Sequence, residues 1–220
     1  MSKTLAISDL HGRSFSTKYY QLNSLYRPDN VVQLGDWFDT TSGAYTSQFQ
    51  INNFKQMMKI RKKNPNVKIL IGNHDAAYLF GEEAWYAIHC FGKEQEIKEL
   101  IEENIQYIDY CFFDGKYLYS HAGITKTLLE ELNIEDYNEL NERLHNKDYS
   151  IFTDSKVSLL YKQFHKDWAK QNIDFQWNDL VNNKLDGKQV IGHYSSMGIQ
   201  IKDDIYDIED FNHANGILFE

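Results

Sequence analysis

The chain has 220 residues, with 42% hydrophobic and 25% charged residues, the balance of an ordinary globular protein with room for one core and an insertion. A formal net charge of -9 argues against a protein that coats nucleic acid, and no apolar run approaches the ~18 residues of a membrane span, so neither nucleic acid nor membrane is an expected partner. The first residues lack the apolar stretch of a secretion signal, and Cys90 and Cys111 read as free thiols, which gives a cytoplasmic expectation.

Three short, branched apolar runs, at 5–7, 31–34 and 67–71, predict strands. Helical patterns separate them, over 15–26 with Tyr19, Leu22 and Tyr26 on one face, and over 47–62 with Phe54, Met57 and Met58. Strand and helix in alternation predict a parallel sheet, and Asn64-Pro65 stops the second helix. Two further strand-like runs, 107–113 and 116–120, are joined by Asp114-Gly115, a strong hairpin signal. The polar stretch 125–187 predicts helices, among them 155–170 with Val157, Leu160, Phe164 and Trp168 at helical spacing. It reads as an insertion over a site within one domain spanning 1–220; a second small helical domain is the alternative. Strands return at 189–191, 199–201, 205–208 and 216–219, which gives a mixed α/β (α+β) core.

A polar residue stands at the end of strand after strand. Asp9-Leu10-His11-Gly12 follows the first, Gly35-Asp36-Trp37-Phe38-Asp39 the second and Gly72-Asn73-His74-Asp75 the third. The hairpin ends in Ser120-His121-Ala122-Gly123, and the run at 189–191 in Gly192-His193-Tyr194. In open α/β sheets, ligands bind at the carboxyl ends of strands, so five such loops can converge on one point. Each loop alone is ordinary turn chemistry; together their donors suit a pair of divalent metals. Asp9 and His11 can grip one ion, Asp36 can bridge two, and Asn73, His121 and His193 suit the second. Oxygen and nitrogen donors without thiolate fit manganese, iron or zinc better than calcium or a structural zinc, and manganese is the first expectation.

These blocks resemble those of the calcineurin-like metallophosphoesterases, most closely the phosphoprotein phosphatase branch with bacterial and phage Ser/Thr phosphatases and symmetric diadenosine tetraphosphate hydrolases. The resemblance spans residues 9 to 194. It implies two packed mixed β-sheets flanked by helices, a four-layer sandwich. It implies Asp9, His11 and Asp36 on the first metal, and Asp36, Asn73, His121 and His193 on the second. His74 would be the general acid, oriented by Asp39, and the attacking group a hydroxide activated by both metals. The branch usually continues Asp-Arg-Gly where Asp39 is followed here by Thr40-Thr41, so the arginine that helps hold phosphate is missing. Arg13 and Asn73 are the expected substrate contacts, with Lys126 or Arg143 as replacements for Arg13. Ser195 stands where other branches carry a second histidine, which favours the phosphatase branch over nucleases and nucleotidases.

Trp37 and Tyr194 either wall the site or pack beside it, and His89, His145, His165 and His213 match no motif. The expected activity is hydrolysis of phosphomonoesters, on phosphoprotein or small phosphorylated compounds. Hydrolysis of dinucleoside polyphosphates is the alternative, and a metal-binding scaffold without catalysis a third.

Overall fold

Chains whose strands alternate with helices build a sheet covered by those helices, and the N-terminal half does so. A computed structural model describes residues 2–40, 44–80, 90, 92–160, 168–194, 199–209 and 216–220, with the backbone alone at 168–174. Strands β1 (Thr4–Ile7), β2 (Asn30–Gln33) and β3 (Val67–Ile69) run parallel, and β9 (Gly216–Phe219) pairs antiparallel with β1, in the order β3-β2-β1-β9. The second sheet has the order β4-β5-β6-β8-β7. Within it, β5 (Tyr117–Ser120), β6 (Lys188–Ile191) and β8 (Ile205–Asp207) are parallel, with β4 (Cys111–Phe113) and β7 (Gln200–Lys202) antiparallel at the edges.

The period of two along each strand sets the layers. Ala6, Val32, Tyr119 and Val190 turn inward and join Leu34, Leu70 and Phe219 in a dry core between the sheets. Leu5, Ile7, Val31 and Ile69 turn the other way, onto helices α1 (Phe15–Tyr26) and α2 (Ser47–Lys63) through Phe15, Tyr19, Ile51, Phe54 and Met57. On the far side, Leu180 of α7 (Trp168–Asn183) covers Ile191 and Ile205. Two mixed sheets flanked by helices result.

Sequence and structure differ at four places. Tyr26 is exposed, and Phe15 takes its place on the buried face of α1. Of the run 107–113 only Cys111–Phe113 is strand, because Ile105–Tyr107 forms a short 3-10 turn. Asn73 opens α3 (Asn73–Phe80) instead of sitting in a loop, and α4 (Glu94–Glu102) follows it.

The helix expected over 155–170 does not form at its start. Residues 155–160 are turns, 161–167 with Phe164 lie outside the described residues, and the helix is α7. Serine hydroxyls there satisfy the backbone in other ways. Ser158 Oγ donates to Phe152 O or Ser155 O (2.8 and 2.7 Å), and Glu131 accepts from Ser155 Oγ and Lys156 N. Among the described residues this stretch also carries α5 (Lys126–Glu131), α6 (Asn138–His145) and a 3-10 turn at Tyr149–Phe152, and a bridge between Thr125 and Lys184 brings its ends side by side. No helix among the described residues is long and apolar enough to cross a membrane.

Candidate metal centre

Three parallel strands of each sheet end at one rim, and the loops that leave them are tied together. Leu10 N and His11 N both donate to Asp36 O (3.0 and 2.8 Å), Gly12 N to Trp37 O, and Gly192 N to His121 O. Asp75 clamps the second loop to the third, accepting from Trp37 N (2.8 Å) through one oxygen and from Gly72 N (3.0 Å) through the other. A side chain at Gly72 would collide with Asp36 Oδ1, and one at Gly192 with Asp9 Oδ1. Glycine is therefore required at both, for close approach of backbone to carboxylate. His11, Asp36, Asp39 and His193 all have positive φ, from 43 to 79°. Four non-glycine residues in that region, each costing about 1–3 kcal/mol, concentrate backbone strain at this rim.

The strained loops bring together the six residues read from the sequence as ligands. His121 Nδ1 lies 2.8 Å from Leu34 O and donates its proton there, which leaves the Nε2 lone pair facing Asn73 Oδ1 at 2.9 Å and His193 Nδ1 at 3.1 Å. Asp9, Asp36 and His121 each offer an atom within 4.8 Å of the others'. Asp9 Oδ1 is buried and accepts no hydrogen bond among the described residues. Buried carboxylates around bare imidazole nitrogens fit a cation, so the donor set suits the metals that the motifs imply.

The electrostatics divide the four histidines. Burial depresses His11, whose pKa falls to about 4 with His74, His121 and Arg13 adding to the effect. Burial and the facing His121 lower His193 to about 3, and burial lowers His121. His74 is half-buried, and Asp36 and the hydrogen-bonded Asp39 outweigh its desolvation and raise it to about 9. Asp39 Oδ2 lies 3.5 Å from His74 Nδ1, while its Oδ1 accepts from Tyr78 OH and from Cys90 N at 3.1 Å. Asp36 is held low against its burial by the four imidazoles. Asp9 is pushed well up by burial and by Glu209, Asp36 and Asp207.

Glu209 and Asp207 are residues that the sequence reading missed. Both are buried, Asp207 as the last residue of β8, a sixth strand ending at this rim, and Glu209 two residues beyond it, and Glu209 shares a cluster with Asp9 and His11. Acidic residues at alternate positions of an otherwise apolar run, Tyr206-Asp207-Ile208-Glu209, are the available signal.

Trp37 packs beneath the site, in the core against Phe54, and donates from Nε1 to Gln33 Oε1 (2.6 Å). Tyr194 packs its ring against His193 and Trp177 and donates to Ala122 O. Arg13 Nη1 donates to Leu10 O (3.2 Å) within the first loop. Arg143 is engaged by Glu139 (2.8 Å), and Lys126 faces Asp186 (3.6 Å). His145 donates to Ile108 O, away from the rim. His89, His165, His213, Thr41 and Ser195 lie outside the described residues.

The family model for calcineurin-like phosphoesterases matches residues 2–214. No curated protein matches the sequence. Among solved structures, a protein serine/threonine phosphatase from Saccharomyces cerevisiae is similar at TM-score 0.52 and 18% identity, over 94% of this chain and 66% of that one. This chain thus spans just under two thirds of the yeast protein. A protein assigned as a diadenosine tetraphosphatase is similar at TM-score 0.50 and 14% identity, over 99% of this chain and 89% of that one. At these identities the likeness is one of fold.

Proposed function

Because the chain belongs to the calcineurin-like phosphoesterase family, we propose that it hydrolyses phosphomonoesters, on phosphoprotein or on a small phosphorylated compound, with two divalent ions. The observation that carries this reading is the convergence of His121 Nε2, Asn73 Oδ1 and His193 Nδ1 beside the cluster of Asp9, Asp36 and His121. Asp9, His11 and Asp36 would hold one ion, and Asn73, His121 and His193 the other, with Asp36 shared. Manganese is the first candidate, then iron or zinc, since the donors mix oxygen and imidazole nitrogen without thiolate. Bound there, such ions supply Lewis-acid charge to phosphoryl oxygens and acidify a water.

The chain's own residues do the rest. His11, His121 and His193 stay neutral near pH 7 and keep lone pairs for ligation, while His74 keeps a proton. Asp39 faces Nδ1 of His74, so Nε2–H is the donor that protonates the leaving alkoxide as the phosphorus–oxygen bond breaks. Tyr78 and Cys90 N hold Asp39 in that orientation. Arg13, on the same loop as His11, stands in for the arginine absent at Thr40 and, with Asn73, contacts the phosphate. The stretch 125–187 belongs to the same domain and shapes the entrance. Leu180 of α7 packs over Gly123, two residues from His121, and Trp177 packs on Tyr194. Hydrolysis of dinucleoside polyphosphates is the second reading, because the same donor set would serve a phosphoanhydride as well as a monoester.

A panel of phosphopeptide, p-nitrophenyl phosphate, its bis ester and diadenosine tetraphosphate, assayed with added manganese, tests the proposal. Monoesters should turn over fastest, and Arg13→Ala should cut kcat/KM on them by about 10- to 100-fold with metal content unchanged. Turnover of diadenosine tetraphosphate alone would favour the second reading. No turnover of any phosphoester would sink both, and a kcat/KM within twofold of wild type would remove Arg13.

A further inference from the structure

The motifs supply three protein ligands for the first ion, and the fold brings a fourth donor to the same place. Glu209 leaves the end of β8, is 2% exposed, and offers an oxygen within 4.8 Å of donor atoms of both Asp9 and His11. Its Oε1 lies 4.0 Å from His11 Nε2, and Asp36 Oδ2 lies 3.8 Å from the same nitrogen. Those separations are too long for charge-assisted hydrogen bonds, which close to about 2.7–2.9 Å. They leave room for an ion between the groups, with a small contraction on binding. With metal–ligand bonds of about 2.0–2.2 Å, two ligands stand roughly 3 Å apart at a right angle and roughly 4 Å apart when opposed.

A second observation points the same way. Asp9, a member of this group, has a buried Oδ1 that accepts no hydrogen bond among the described residues. Asp9, Asp36 and Glu209 therefore collect three carboxylates in a dry volume around one imidazole. Such a group is costly without a cation and favourable with one. The backbone sets Glu209 for this, since its N–H is held by Asp207 Oδ1 at 3.1 Å.

We propose that Glu209 is a protein ligand of the first metal ion, completing a set of four with Asp9, His11 and Asp36. This rests on the two-metal reading above. The carboxylate adds a negative charge to that site, which strengthens its hold on a divalent ion and offsets more of the ion's charge.

Wild type and Glu209→Gln, stripped of metal, would be titrated with Mn by calorimetry and melted with and without it. Wild type should bind two ions. Glu209→Gln should lose one, or bind it at least about 10-fold more weakly. The metal-free variant should melt above metal-free wild type, because a buried charge beside Asp9 is gone, and should gain less from Mn. Two ions at wild-type affinity, or a lower metal-free melting point with an unchanged Mn response, would assign Glu209 a structural role and overturn the proposal. Wild type that binds no Mn would sink the two-metal reading and the proposal with it. If Glu209→Gln does not fold, Glu209→Asp, which keeps the charge but shortens the reach, should weaken the same single site, and unchanged binding would count against it.

Discussion

His74 is the one site histidine whose neighbours reverse the effect of burial. Asp36 and Asp39 raise it to about 9, while His11, His121 and His193, the proposed ligands, fall. Groups driven apart in this way divide into acid and ligands by environment alone. His74→Asn should therefore lower kcat by about 10²–10⁴ on an alkyl phosphate and far less on p-nitrophenyl phosphate, whose leaving group hardly needs a proton. Steady-state rates on the two substrates check it, and equal losses would mean that His74 serves the phosphate or the metals instead. The motif residues were legible because each follows a strand in a short glycine-bearing turn. Glu209 was not, because no glycine marks its turn and about 200 residues separate it from Asp9 and His11 in sequence.

Helix α6 is fastened by a charge. His145, in its last turn, points Nε2 at Ile108 O (2.9 Å) and Asp109 Oδ1 (3.3 Å). The hydrogen bond to Asp109 raises its pKa, while partial burial and Arg61 oppose the rise. A raised folded-state pKa gives stability that is full below the unfolded value near 6.5 and is lost as pH rises through the folded value. His145→Gln should thus be most destabilising at about pH 5.5–6, with the difference from wild type shrinking toward pH 9. Urea unfolding across that range is the measurement, and a constant difference would rule the charge out. Element positions were read well where one period governed, as in α1, α2 and β1 to β3. They were read badly at 155–160, where serine hydroxyls bond the backbone and the apolar spacing of Val157 and Leu160 belongs to turns.

At the scale of the molecule, the site exists because two sheets close on each other. Asp9, Asp36 and Asn73 leave the first sheet, and His121, His193 and Glu209 leave the second. Leu34, fully buried between the sheets, also lends its carbonyl to His121. Leu34→Ala should cost about 2–5 kcal/mol through the cavity it leaves. Thermal unfolding would register that as a fall of roughly 4–20 °C for a chain of this size. A loss under about 0.5 kcal/mol would mean that the sheets do not close over that side chain.

Local chemistry determined much of this by itself. Short, branched apolar runs gave the parallel strands, Asp114-Gly115 gave the hairpin, and donor types at strand ends gave the six residues that the rim brings together. The packing of the sheets decided the rest. It alone set which oxygen of Asp39 meets His74, which nitrogen of His121 stays bare, and that Glu209 stands beside Asp9 and His11. Those are distances between residues far apart in sequence, and neither spacing nor propensity encodes them. Burial and facing charges then divided the four site histidines, lowering His11, His121 and His193 and raising His74, because both act through space.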